Sequence, residues 1–427
     1  MSTLGRRADI LAELKSQDGQ YDVIIVGGGI TGAGILREAT RQGLRALLLE
    51  QRDFAWGTSS RSSKMVHGGL RYIAQGDIRL TRHSALERER LIREAPGLVE
   101  RMGYLFPIRK GQFPGKLLFS ILLAFYDTLA GIRTHGWHDA DALGRKAPGI
   151  RRDGLKGASY YTDAVTDDSR LVLRVLQEAC AERGRVLNYA QAKDLLRDGN
   201  GQVAGVVAQD TLTGETLSLP ARVVINATGA WVDELREKIT HDRAIRPLRG
   251  SHIVIPARRI PVREALTVFH PADKRATFIF PWEGCTVVGT TDLDHAPALS
   301  LEPGITRAEV DYLLQLANDQ FPDVHVTDAD IVSTWAGVRP VISKDRSKDP
   351  SKEKRDHKVW IDRGLVSVSG GKLTTFRLIA RDTLDAAKAF LPGVSFDSAD
   401  GRVCSPTLTA PDQLDGIHLG LAALLLC

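Results

Sequence analysis

The sequence predicts an α/β protein, a Rossmann-like nucleotide-binding domain into which an α+β domain with a mostly antiparallel sheet is inserted. Three observations carry this expectation. An unbroken apolar run over 21–26 leads straight into a glycine cluster, and a second apolar run over 45–50 follows one helix later. Unbroken apolar runs mark parallel strands covered on both faces. Much further on, short strand-like runs recur at 251–255, 266–269, 277–281 and 286–290, the spacing of an antiparallel layer.

The 427 residues are too many for one simple core and suggest more than one domain. With 43% hydrophobic and 26% charged residues, the composition is that of a soluble globular protein. Only 6% are aromatic and no Lys/Arg block has interleaved aromatics, which argues against nucleic acid as a partner. The net charge of +5 suits an anionic substrate or an anionic membrane surface. Cys180, Cys285, Cys404 and Cys427 lie far apart and form no CxxC pair, which speaks against a metal cage and for a reducing, cytoplasmic location. Residues 1–20 lack the apolar core of a signal peptide. The apolar segment 113–132 is too short and too interrupted to span a bilayer, so it reads as either a buried helix or an interfacial one, with Lys110, Lys116 and Arg133 flanking it.

Along the chain, the 21–26 strand, a helix over 32–42 and the 45–50 strand form a βαβ unit. A polar helix is expected over 79–94 and another over 171–183. Strands are expected at 185–196, 202–209 and 221–227, a helix at 305–321, strand character over 359–369 and a closing helix from Gly370-Gly371 to about Phe390.

Gly27-Gly28-Gly29-Ile30-Thr31-Gly32 is a G-x-G-x-x-G motif placed between strand and helix. Gly27 permits the tight turn, Gly29 lets backbone approach a pyrophosphate, and Gly32 allows close helix–strand packing. Ile30 and Thr31 open the helix, whose N-terminus offers free N–H groups to phosphates. Glu50, followed by Gln51, ends the next strand at the distance where a carboxylate accepts ribose hydroxyls and disfavours a 2′-phosphate. The motif alone does not separate FAD from NAD.

The remaining runs favour a flavin. Thr58-Ser59-Ser60-Arg61-Ser62-Ser63-Lys64 offers hydroxyls and a cation to a pyrophosphate and a ring edge. His67-Gly68-Gly69-Leu70-Arg71-Tyr72 lets backbone lie against a flat ring. Ala227, Thr228 and Gly229 end a strand in a second glycine turn, with Ala192 on a neighbouring strand. Gly370-Gly371-Lys372-Leu373-Thr374-Thr375 repeats the strand–glycine–helix device, and that helix end would stabilise negative charge on a reduced flavin.

These motifs, together with G-S-H-I-V-I-P at 250–256, G-T-T-D at 289–292 and G-V-R-P at 337–340, closely resemble the FAD-dependent glycerol-3-phosphate dehydrogenases of the D-amino-acid-oxidase-like superfamily, over residues 21–391. The resemblance implies non-covalent FAD and sn-glycerol 3-phosphate as substrate, its phosphate held by Arg71, Arg339 and Lys372 with help from Tyr72. It implies hydride transfer from C2 to the flavin, giving dihydroxyacetone phosphate, with His67, Arg71, Arg339 and Lys372 as the catalytic set and the base left open. No metal is implied: His135, His138, His252 and His270 lack ligand spacing and read as structural. The family further implies quinone as electron acceptor, the inner membrane face as location, and a homodimer. Residues 18–110, 155–245 and 355–392 would form the FAD-binding domain, 111–154 and 246–354 the substrate domain, and 393–427 a tail where longer members carry a helical domain. An oxygen-using oxidase, an amine or amino-acid oxidase, and a non-catalytic flavin-binding protein are the alternatives.

Overall fold

The computed structural model describes residues 7–16, 19–74, 76–343, 356–394 and 401–405. In its first sheet the strand Tyr21–Val26 runs parallel between Ala46–Leu49 and Thr216–Asn226, with Tyr21 opposite Ala221 and Val23 opposite Ala46. Arg185–Leu187 extends the parallel sheet on one side and Leu365–Gly370 on the other. From Val23 to Val26 the run is apolar without a break because both of its faces are covered. Val23 and Ile25 join a core built by helices Ile30–Arg41, Asp168–Ala181 and Phe376–Ala387. Ile24 and Val26 face a second core under helix Arg7–Ser16 and the strands Ala190–Arg197 and Val203–Asp210.

The second sheet has ten strands, and all its pairings but one are antiparallel. Ile245–Pro256 lies at its heart, paired with Cys285–Gly289 on one side and Ser333–Ile342 on the other. Helix Arg307–Gln320 covers one face with Leu313, Leu316 and Ala317. Helix Lys116–Ala130 covers the other with Phe119, Leu123 and Tyr126. The buried-helix reading of the 113–132 segment therefore holds in part. One stripe of the helix is core, while Leu117, Leu118, Ile121 and Phe125 are exposed.

The α/β class and the inserted antiparallel sheet are as expected, with two differences. Val99–Arg109 and Leu155–Thr166, numbered with the FAD-binding part in the sequence reading, pair with each other from Val99↔Thr166 to Arg109↔Leu155 and belong to the second sheet. Their interior residues face two different cores, Leu105 and Ala158 on one side, Tyr104, Phe106 and Tyr161 on the other. No two-residue alternation survives to announce them. The single strand expected over 359–369 is a hairpin, His357–Asp362 with Leu365–Gly370, turning at Arg363 and Gly364, both at positive φ. The charged loop 344–355 and the tail 406–427 lie outside the described residues.

Candidate active site

The glycine motif behaves as its spacing requires. Gly27 sits at φ +114, and a Cβ there would come 2.6 Å from the Ala227 carbonyl oxygen. A Cβ on Gly32 would come 1.9 Å from the Gly27 carbonyl oxygen, closer than any side chain permits. One N–H at the helix start is already used, since Ile30 N donates to Ser59 Oγ at 3.0 Å. Glu50 Oε2 accepts from Gly28 N at 2.7 Å and Oε1 from Arg52 N at 2.8 Å, which bends the glycine loop onto the carboxylate. Burial pushes the Glu50 carboxyl above its ordinary range, partly opposed by these backbone hydrogen bonds.

An elongated cleft starts from this turn. Of the residues proposed for cofactor binding, Gly27, Gly29, Ile30, Thr31, Glu50, Gln51, Thr58, Ser59, Ala192, Ala227, Thr228, Gly229, Gly371, Lys372 and Leu373 line it. Gly32 lies behind it, against the Gly27 carbonyl. Trp56 and Trp231 also line it, their ring centroids 5.7 Å apart, with the Arg52 guanidinium 3.9 Å over Trp56. Neither tryptophan stood out in the sequence, because only their pairing across 174 intervening positions makes a wall.

Ser62, Ser63 and Lys64 are placed differently. Lys64 Nζ pairs with the fully buried Asp168 at 2.5 Å and donates to the Ser60 carbonyl at 2.9 Å. Asp168 also accepts from Ser62 N at 2.9 Å. Ser63 Oγ lies 2.9 Å from His252 Nε2. This hydroxyl-rich run thus anchors the loop to its surroundings, and these three residues are not among those lining the cleft.

The next run closes against the C-terminal glycine turn. Thr374 Oγ1 donates to the His67 carbonyl at 3.1 Å, and Gly68 N donates to Asp163 Oδ1 at 2.9 Å. Gly69 is at φ +81, and a Cβ there would come 2.3 Å from the Tyr72 ring and 3.1 Å from Lys372 Nζ. The Lys372 ammonium lies 3.7 Å from the Tyr72 ring centroid and donates to Ser84 Oγ at 3.1 Å. Leu70 packs into the core beneath helix Lys116–Ala130. The Arg71 backbone belongs to the short helix Leu70–Ala74, and its side chain lies outside the described residues.

On the second sheet, Arg339 donates to Thr290 Oγ1 at 3.0 Å and Asp292 Oδ1 at 3.1 Å. Gly250 makes room for it, since a Cβ there would meet the guanidinium at 2.2 Å. The flanking residues of this strand reach the cleft: Pro340 lines it, and the Val338 carbonyl accepts from Thr58 Oγ1 at 2.5 Å. His252, stacked on Trp335 with centroids 4.7 Å apart, is held well below the usual histidine range by burial and by the charges of Arg339 and Lys64. The sequence reading took His252 as structural.

Residues 22–386 match the family described as DAO, FAD dependent oxidoreductase. The chain belongs to this family. It is 40% identical over 393 residues to the aerobic glycerol-3-phosphate dehydrogenase of Staphylococcus haemolyticus (strain JCSC1435), covering 90% of this chain and 69% of that one. It is 39% identical over 387 residues to the enzyme of the same name from Staphylococcus aureus (strain USA300). The crystal structure of the glycerol-3-phosphate dehydrogenase from Bacillus halodurans complexed with FAD superimposes with a TM-score of 0.76 at 33% identity, covering 94% of this chain and 71% of that one. The L-alpha-glycerophosphate oxidase of Mycoplasma pneumoniae, with a TM-score of 0.69 at 15% identity, shares the fold.

FAD, the cofactor of the DAO family, fits the cleft on the chain's own geometry. The approaches a Cβ would block at Gly27 and Gly32 leave backbone exposed where a pyrophosphate would bind, and Glu50 lines the same cleft, where it would meet a ribose. Gly32→Ala is accordingly expected to yield protein with little bound flavin, read as the flavin-to-protein absorbance ratio after purification. A ratio equal to that of the unaltered protein would contradict the close-approach requirement.

Proposed function

We propose that this chain oxidises sn-glycerol 3-phosphate to dihydroxyacetone phosphate, using FAD held non-covalently in the glycine-lined cleft. The observation that carries this reading is the 40% identity over 393 residues to an aerobic glycerol-3-phosphate dehydrogenase. Bound FAD supplies a two-electron acceptor for the hydrogen on C2. The chain's own residues supply the charge. Lys372 presents an ammonium at the cleft wall, fixed by Ser84 and the Tyr72 ring. Arg339 offers a planar fork suited to two oxygens of a phosphate. Arg71 is assigned to the same ester, and Tyr72 adds a hydroxyl. Together these cations bind a dianion and stabilise negative charge developing on the C2 oxygen. His67 is assigned a place beside the flavin. His252 stays neutral there, so it adds no charge next to Arg339.

The electrons are assigned to a quinone, delivered at a membrane surface. Among the described residues no helix is long and apolar enough to cross a membrane. Helix Lys116–Ala130 instead presents Leu117 at 77% exposure and Ile121 at 60%, beside Phe113 at 80%. Lys110, Lys116 and Arg133 flank this apolar stripe, the pattern of a helix lying on anionic headgroups. Cys180, Cys285 and Cys404 are free thiols, which suits the cytoplasmic face.

Three measurements test these readings. Adding sn-glycerol 3-phosphate anaerobically to the flavin-loaded protein is expected to bleach the flavin band, while glycerol leaves it unchanged; bleaching by both, or by neither, would refute the substrate. A charge-assisted hydrogen bond contributes about 1.5–3 kcal/mol, so Lys372→Met is expected to lower kcat/KM by about 10- to 100-fold. For the surface, Leu117→Glu with Ile121→Glu is expected to abolish co-sedimentation with anionic vesicles while turnover with a soluble dye persists. Undiminished sedimentation of that variant would remove the helix from the membrane contact.

A further inference from the structure

Helix Arg307–Gln320 opens with a capping box, in which Glu309 reaches back to its own N-cap. Such a glutamate usually serves one donor near solvent. Glu309 is 1% exposed and serves several. Its Oε2 does the capping, accepting from Thr306 N and Thr306 Oγ1, each at 2.9 Å. Its Oε1 is turned the other way and accepts from Ser251 Oγ and Thr291 Oγ1, each at 2.8 Å. Arg249 spans both oxygens, with Nη2 at 2.9 Å from Oε2 and Nε at 3.3 Å from Oε1. Burial alone would raise this carboxyl, but the hydrogen bonds from Thr306, Thr291 and Ser251 outweigh it and hold the group below its ordinary range.

The two hydroxyls on Oε1 belong to the two segments that cradle Arg339. Thr291 lies between Thr290 and Asp292, both of which accept from the guanidinium. Ser251 lies between Gly250, whose missing side chain admits the guanidinium, and His252. The segments are also joined directly, as Ser251 N donates to Thr291 Oγ1 at 2.8 Å. A helix cap needs only Oε2, so the work of Oε1 requires a separate explanation.

We propose that Glu309 is a positioning residue for substrate binding, clipping segments 250–252 and 290–292 together so that the Arg339 guanidinium keeps its aim at the phosphate. This rests on the reading that Arg339 grips the phosphate.

The test uses the flavin-loaded enzyme carrying Glu309→Gln or Thr291→Val, each alone and combined with Arg339→Ala, assayed for KM and kcat with sn-glycerol 3-phosphate and a soluble dye. Each single variant is expected to raise KM by about tenfold, with kcat changing less and flavin content retained. Arg339→Ala is expected to raise KM at least as much, and adding either variant to it to raise KM no further. Independent, multiplicative effects in the double variants would overturn the inference, as would a loss of stability or flavin with KM unchanged. If Arg339→Ala itself leaves KM unchanged, the phosphate role of Arg339 falls first and the inference with it. Thr291→Val leaves the helix cap intact and decides the matter alone if Glu309→Gln does not fold.

Discussion

The distance between the Gly27 carbonyl and the backbone of Gly32 governs the site more than any other. Helix Ile30–Arg41 can begin where it does only because Gly32 carries no side chain, since a Cβ there would come 1.9 Å from the Gly27 carbonyl oxygen. That contact lays the helix on the parallel sheet with its N-terminus turned toward the cleft, where unsatisfied N–H groups and the positive end of the helix dipole favour an anion. Helix Phe376–Ala387 repeats the arrangement from the far end of the described chain, packing with Ile30–Arg41 in the same core. A cofactor whose pyrophosphate joins an adenosine to a reducible ring suits a cleft lined by both helix starts.

The second sheet contributes a different kind of constraint. It sets a strand against the cleft, where Pro340 lines the wall and the Val338 carbonyl accepts from Thr58, while Arg339 between them is held by Thr290 and Asp292. The cation at the cleft wall is treated similarly: Lys372 is braced by Ser84 and the Tyr72 ring rather than left to move in solvent. Fixing cations before the substrate arrives reduces the ordering cost of binding. Family membership agrees with a bound FAD, since residues 22–386 match a family of FAD dependent oxidoreductases.

How much of this was readable in the sequence follows from how local each feature is. The glycine turn was legible because its backbone demands have one residue type as an answer, and the same holds for Gly69, Gly370 and Gly371. Glu50 was legible by spacing, though not that both its oxygens would be drawn to backbone N–H groups. Lys64 looked like a phosphate ligand by composition, but the buried Asp168 that takes its charge lies more than a hundred positions away. The setting of His252 depends on Trp335 and Ser63, and neither contact has a sequence signature. The strands Val99–Arg109 and Leu155–Thr166 were invisible for a similar reason, because burial on both faces erased their alternation.

What links these features is the proposal that Lys372 and Arg339, one from each sheet, bind one doubly charged ester next to the flavin ring. The most direct test is a crystal structure of the FAD-loaded protein soaked anaerobically with sn-glycerol 3-phosphate. The expected electron density places the phosphate within hydrogen-bonding reach of Lys372 and Arg339, with C2 against the isoalloxazine. Phosphate density bound by neither residue, or Arg339 and Lys372 on opposite sides of the cofactor, would contradict it.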